Sequence, residues 1–154
     1  MKLPPDWREF IELLNSNGVE YVVVGGHAVG YHGYPRYTGD IDFFVRASEA
    51  NAAALARTLA GFGFAGASDL ESVLTEPDKI IQLGRPPNRI DLLTSISGVS
   101  FDEAVRDGVT VSMDGVPVRM IGRRALLKNK RNTGRTKDRA DAEEIEKTLP
   151  EDAE

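Results

Sequence analysis

Val22-Val23-Val24-Gly25-Gly26-His27-Ala28 and, after thirteen residues intervening from Gly26, Asp40-Ile41-Asp42-Phe43-Phe44 are the stretches on which the reading of this chain turns. An apolar strand runs into a glycine pair, a short helix follows, and the next strand opens with two aspartates at i and i+2. Side chains alternate faces along a strand, so Asp40 and Asp42 point the same way while Ile41 and Phe43 enter the opposite, apolar layer. Two carboxylates on a rigid strand, beside a glycine turn whose backbone N–H groups phosphate can approach, suit a metal-bound triphosphate.

Phosphoryl and nucleotidyl transfer ask a protein mainly for positioning, charge neutralisation and an activated acceptor. A pair of divalent ions about 3.5–4 Å apart needs hard oxygen ligands, one of them bridging. Asp40 and Asp42 fit as the metal pair, and a third carboxylate is expected from a neighbouring strand. Asp91, in Arg89-Ile90-Asp91-Leu92-Leu93, is the candidate. An acid inside so apolar a strand must sit at an edge, pair with a cation or bind a metal. The metal or general-base role is favoured, and an ion pair with Arg89 or Arg85 is the structural alternative.

Working outward, periodicity predicts a helix after Asp6, capped by Asp6 with Glu9 and ending at Gly18. Strands are expected over 20–24 and 41–45, with a short helix over 27–33 and a loop over 34–39 between them. Ser48 caps an alanine-rich helix ending near Gly61 or Gly63. Strands follow over 79–83 and 89–93, then a capping box of Ser100 and Glu103 opens a short helix ending at Gly108. Asp114-Gly115 between strands 109–113 and 116–120 signals a type I′ hairpin. Two helices, about 123–132 and 138–148, close the chain. The fold class is α+β, a mixed β-sheet flanked by helices with two C-terminal helices. The chain reads as one domain over residues 1–149 and a frayed tail over 150–154.

The 154 residues are 41% hydrophobic, enough for a core. No apolar run approaches the roughly 20 residues that span a bilayer. The N-terminus lacks the apolar core of a secretory signal. With no cysteine, disulfides, thiolate chemistry and Cys-based zinc sites are excluded, and a cytoplasmic location is expected.

The net charge of −5 is segregated, since residues 123–139 hold eight of the 19 basic residues against one acid, Asp138. A basic band on an acidic protein suggests a polyanion contact on one surface; a solvated helix face explains it equally well. Arg124, Lys128 and Arg131, at i, i+4 and i+7, share a helix face. His27 reads as local structure around the site. Tyr31, Tyr34 and Tyr37 are weaker candidates for stacking a base.

The combination of Gly25-Gly26, Asp40-x-Asp42 and Asp91 on a later strand resembles the DNA polymerase β-type nucleotidyltransferase superfamily. More narrowly, Gly25-Gly26-His27-Ala28 and Arg36-Tyr37-Thr38-Gly39-Asp40-Ile41-Asp42 resemble segments of small bacterial proteins related to AbiEii-type toxins. Lys128, Lys130, Arg131 and Lys137-Asp138 resemble their basic C-terminal segment, so the likeness covers about residues 20–145. Many members carry Gly-Ser where this chain has Gly25-Gly26, and the larger toxin-like enzymes carry a substantial additional region.

The resemblance implies a nucleotidyltransferase fold and roles for single residues. Asp40, Asp42 and Asp91 would hold Mg²⁺ or Mn²⁺, with Asp91 alternatively deprotonating the acceptor. Gly25 and Gly26 would cradle the triphosphate. Arg36 and Thr38 would contact phosphate or a metal-bound water, and Lys128, Arg131 and Lys137 would meet nucleotide or acceptor. The implied activity is transfer of NMP from an NTP to a hydroxyl or phosphate of tRNA, protein or a small molecule. A toxin–antitoxin connection, with an antitoxin-like partner, follows by resemblance alone. A domain that binds nucleotide, RNA or protein without turnover is the competing expectation; a metal-dependent phosphohydrolase is a weaker one.

Overall fold

The computed structural model describes residues 2–33, 39–133 and 135–147, with the backbone alone for Lys137. Seven helices and six strands are found among them: α1 Pro5–Ser16, β1 Tyr21–Val24, α2 Gly25–Tyr31, β2 Asp40–Val45, α3 Glu49–Gly61, α4 Ala67–Leu70, β3 Ile80–Leu83, β4 Arg89–Leu93, α5 Phe101–Arg106, β5 Val109–Met113, β6 Val116–Met120, α6 Arg123–Asn132 and α7 Thr136–Lys147. The expected α+β class, mixed sheet and two C-terminal helices are all present.

The strands form one sheet in the order β3-β4-β2-β1-β6-β5. β2 runs parallel to β4 and β1 parallel to β6, while the other three neighbouring pairs are antiparallel. The C-terminal ends of β1 and β6 and the N-terminal ends of β2 and β4 therefore meet at one end of the sheet.

Both faces are covered, and β2 shows how. Phe43 packs with Phe10 of α1, ring centroids 5.7 Å apart, while its neighbour Phe44 packs with Phe101 of α5 at 5.3 Å. Successive residues point to opposite faces, so one strand serves two apolar layers. α1 buries Trp7, Phe10, Ile11 and Leu14 as a helical stripe. α3 shares that side; α5, with α6 and α7 beside it, takes the other. Asp40 and Asp42 have the parity of Phe44 and so lie on the α5 side. Ile41 and Phe43, both fully buried, face α1, as alternation requires.

Several local signals act as expected. Ser48 accepts from Asn51 N, and Ser100 and Glu103 close both bonds of their capping box. Gly18 (φ +68°) ends α1. Asp114 and Gly115 both adopt positive φ, as a type I′ turn demands.

The start of α1 differs. Pro5 opens the helix with Pro4 before it, and no side chain caps it, so Asp6 lies inside the first turn rather than at the cap. Proline's fixed φ and missing N–H suit the first helical position. α2 begins two residues earlier than expected because Gly25 itself turns the chain out of β1. α4 and a single 3₁₀ turn at Val73–Thr75 occupy a segment without helical periodicity. No described helix is long and apolar enough to cross a membrane.

Candidate active site

The three aspartates meet at the shared sheet end. Register alone places Asp42 opposite Val24 of β1 on one side and opposite Asp91 of β4 on the other. Because β2 and β4 are parallel and in register, Arg89 stands opposite Asp40 just as Asp91 stands opposite Asp42. Arg89 and Asp91, two residues apart, share a face, so four charged side chains crowd one patch.

Their contacts are specific. Asp42 and Asp91 are hydrogen-bonded to each other, and burial, followed by Asp91 and then Asp40, pushes the Asp42 carboxyl up to about 7, with Arg89 opposing the rise. Arg89 grips Asp91 through both oxygens, Nε to Oδ1 at 2.8 Å and Nη2 to Oδ2 at 3.1 Å. The same Nη2 donates to Asp40 Oδ2 at 2.9 Å. The ion pair that is the structural alternative for Asp91 is thus present and extends to Asp40.

Gly25 is fixed by two constraints. Its φ is +72°, and a Cβ there would overlap Asp42 Oδ2. Only glycine lets the bend after β1 lie against that carboxylate. His27, two residues on, bonds to the Asp40 backbone, and its ring meets Trp7 edge-on at 5.1 Å. Burial lowers its pKa, so the imidazole is neutral near pH 7. Trp7 Nε1 in turn donates to Asn88 O at 3.1 Å, tying α1 to the residue before β4.

The donor set matches a hard divalent cation in kind: three carboxylates, two of them abutting and one with a raised pKa. Among the described residues, however, no group of three His, Cys, Asp or Glu side chains is disposed around a common cation position. Both Asp91 oxygens and one of Asp40 are turned to Arg89.

A cleft of about 580 Å³ adjoins this end of the sheet, between α2, α5 and α6. Of its lining, His32 Nε2 lies 2.7 Å from Ile121 O, and Ile121 N donates to Val23 O at 3.1 Å, two residues before the glycine bend; the glycines and the aspartates do not line it. Tyr31, Arg106, Arg123, Arg124 and Lys128 line it together with Glu103 and Asp107. Asp107 Oδ2 accepts from Arg124 N, capping α6 from outside. Lys128 Nζ contacts Glu103 Oε2 at 2.6 Å; that bond and the Ser100 backbone hold Glu103 down at about 2.

The basic band is divided. Lys128 faces the cleft, whereas Arg131 pairs with Glu146 on α7. Lys130 is buried, 3.1 Å from Asp138 and 3.9 Å from Asp141. Against a burial that raises it, bonds from Arg135, Thr133 and Lys130 hold the Asp138 carboxyl well below its ordinary value. Much of the expected polyanion surface is therefore the ionic joint between α6 and α7. Arg36 and Thr38 lie outside the described residues, as do Tyr34, Tyr37 and the tail from 148 on, and the Lys137 side chain is likewise outside them.

Sequence reading passed over Glu103, Asp107 and Arg123 as site neighbours, and nothing in their spacing marks them. Arg89 was legible: as i−2 to Asp91 on a strand it must share that face.

A family model described as "Nucleotidyl transferase of unknown function (DUF2204)" matches residues 5–153. None of the curated proteins matches the chain.

Proposed function

The chain belongs to this family of nucleotidyl transferases, and from that membership we propose that it moves NMP from an NTP to a hydroxyl or phosphate acceptor in a Mg²⁺-dependent reaction. The acceptor oxygen forms a bond to the α-phosphorus, the bond from that phosphorus to the β-bridging oxygen breaks, and pyrophosphate leaves. The observation that carries the reading is Asp42 in register opposite Asp91, with Gly25 closed against the Asp42 carboxylate.

Asp40, Asp42 and Asp91 would hold the cation, which supplies charge neutralisation at the phosphates and at the leaving oxygen. Asp91 would alternatively take the acceptor proton. The N–H groups at the start of α2, Gly25 and Gly26, would receive phosphate oxygens. Lys128, with Arg123 and Arg124 in the adjoining cleft, would meet the remaining negative charge. The acceptor is tRNA, a protein or a small molecule, and the toxin–antitoxin connection stays with the sequence resemblance.

A second reading, a domain that binds nucleotide, RNA or protein without turnover, is favoured by one observation. Arg89 offsets part of the charge on Asp40 and Asp91, which eases the cluster without a metal. Incubation with α-³²P- and γ-³²P-labelled NTPs, Mg²⁺, total tRNA and cell lysate separates the two. Label retained on an acceptor from the α position only supports transfer. Loss of that label in Asp42→Asn ties it to this site, and no retained label with nucleotide still bound supports the second reading.

A further inference from the structure

Arg89 takes up carboxylate oxygens that a cation chelated by this cluster would need. Its guanidinium engages both oxygens of Asp91 and, through Nη2, one oxygen of Asp40. Asp91 also shares a hydrogen bond with Asp42. A divalent ion bound by Asp42 and Asp91 needs at least one Asp91 oxygen, and each is already accepting a charge-assisted bond. Parallel register sets the Arg89 backbone opposite Asp40, and strand alternation sets its side chain on the same face as Asp91. Its side chain is 26% exposed, so it borders water into which it can withdraw.

We propose that Arg89 is a displaceable counter-ion of the carboxylate cluster. In the metal-free protein it holds Asp91 and Asp40 oriented and offsets their charge, and it gives up at least one Asp91 oxygen when the cation binds. Arg89 is a positioning residue, acting on the carboxylates rather than on the reacting atoms, and it sets the affinity for the cation. This inference rests on the metal role proposed for the three aspartates.

The competition is a matter of shape as well as charge. A planar guanidinium spans two carboxylate oxygens at once, whereas a lysine ammonium is a point charge that cannot reproduce the fork. Arg89→Lys therefore keeps the charge near the cluster and removes the two-point grip, and Arg89→Ala removes both.

The test is Mn²⁺ binding, followed by loss of the free-ion electron paramagnetic resonance signal, in the wild type, Arg89→Lys, Arg89→Ala and Asp42→Asn. Folding of each is checked by circular dichroism in EDTA. Arg89→Lys is expected to bind Mn²⁺ about tenfold more tightly than the wild type and Arg89→Ala more tightly still, the cost of breaking a charge-assisted bond having been removed. An Arg89→Lys affinity equal to the wild type overturns the proposal, because any change in Arg89→Ala is then a charge effect alone. Weaker binding in Arg89→Lys overturns it as well. If Mn²⁺ binds the wild type, is lost in Asp42→Asn and is indifferent to Arg89→Lys, the inference fails while the metal assignment stands. If Mn²⁺ binding is absent, or unaffected by Asp42→Asn, both fail. Should Arg89→Ala not fold, the Arg89→Lys comparison decides alone.

Discussion

Asp42 and Asp91 stand opposite each other in register on parallel strands and share a hydrogen bond, with Asp42 carrying the raised pKa. Two carboxylates so placed cannot both be ionised cheaply without a cation, and the first consequence is a pH dependence of stability.

Burial, followed by the Asp91 carboxylate, pushes the Asp42 carboxyl up to about 7 in the folded chain from an ordinary 3.8. Over that window the native state holds a proton that the unfolded chain has released, so stability falls as pH rises. It is fully present below about pH 4 and lost as pH passes about 7. Thermal melting in EDTA should show the melting temperature declining across this range. Asp42→Asn, which mimics the protonated carboxyl, should flatten the decline and melt higher than the wild type near pH 8, while abolishing transfer of α-labelled nucleotide. An unchanged slope would remove Asp42 as the titrating group.

Gly25→Ala should be damaging twice over. A non-glycine residue at φ +72° costs about 1–2 kcal/mol from the backbone alone. The added methyl also overlaps Asp42 Oδ2 and must push that carboxylate aside. Urea denaturation should register the loss of stability, and Mn²⁺ binding should weaken even where the variant is folded. Gly115→Ala serves as a control: its φ is also positive, but nothing stands within 4 Å of its Cβ. It should lose stability only.

The α6–α7 joint should depend on a buried ion pair. Lys130 and Asp138 have side chains 8% and 1% exposed. Asp138→Ala leaves the ammonium buried with one of its two partners, and breaking such a pair costs about 3–5 kcal/mol. Hydrogen exchange should show α7 losing protection. Replacing both by leucine should recover only part of the loss, because Asp141, also buried, then loses its ammonium neighbour.

Lys128 and Arg131 should behave differently despite sharing a helix face. Lys128 lines the cleft and Arg131 reaches Glu146. Lys128→Glu should weaken binding of triphosphate or RNA, with a larger effect at low salt than at high salt. Arg131→Glu should act chiefly on α7, through repulsion from Glu146. Equal losses of binding from both would show that the helix face works as a single electrostatic surface.

How far the sequence speaks is seen in β2 and α6. The alternation in Asp40-Ile41-Asp42-Phe43 fixed which side chains are wet and which are buried, since only a period of two lets one strand do both. The Ser100–Glu103 box and the Asp114–Gly115 turn were equally readable, being built from contacts within a few residues. α6 was legible as a helix, yet the fate of its cations was not. Lys130 turned inward to Asp138 and Arg131 went to Glu146, both on α7, a choice that depends on how two helices pack and leaves no mark in spacing.

The sequence by itself determined the elements around the site and the chemistry of its donors, because helix caps, tight turns and strand alternation are local. Tertiary structure decided which side chains face one another. Parallel, in-register pairing of β2 with β4 joins residues some fifty positions apart, and it set Asp91 against Asp42 and Arg89 against Asp40 in one stroke. Strand order and register come from the burial of two apolar layers at once, a property of the whole sheet that no single segment carries.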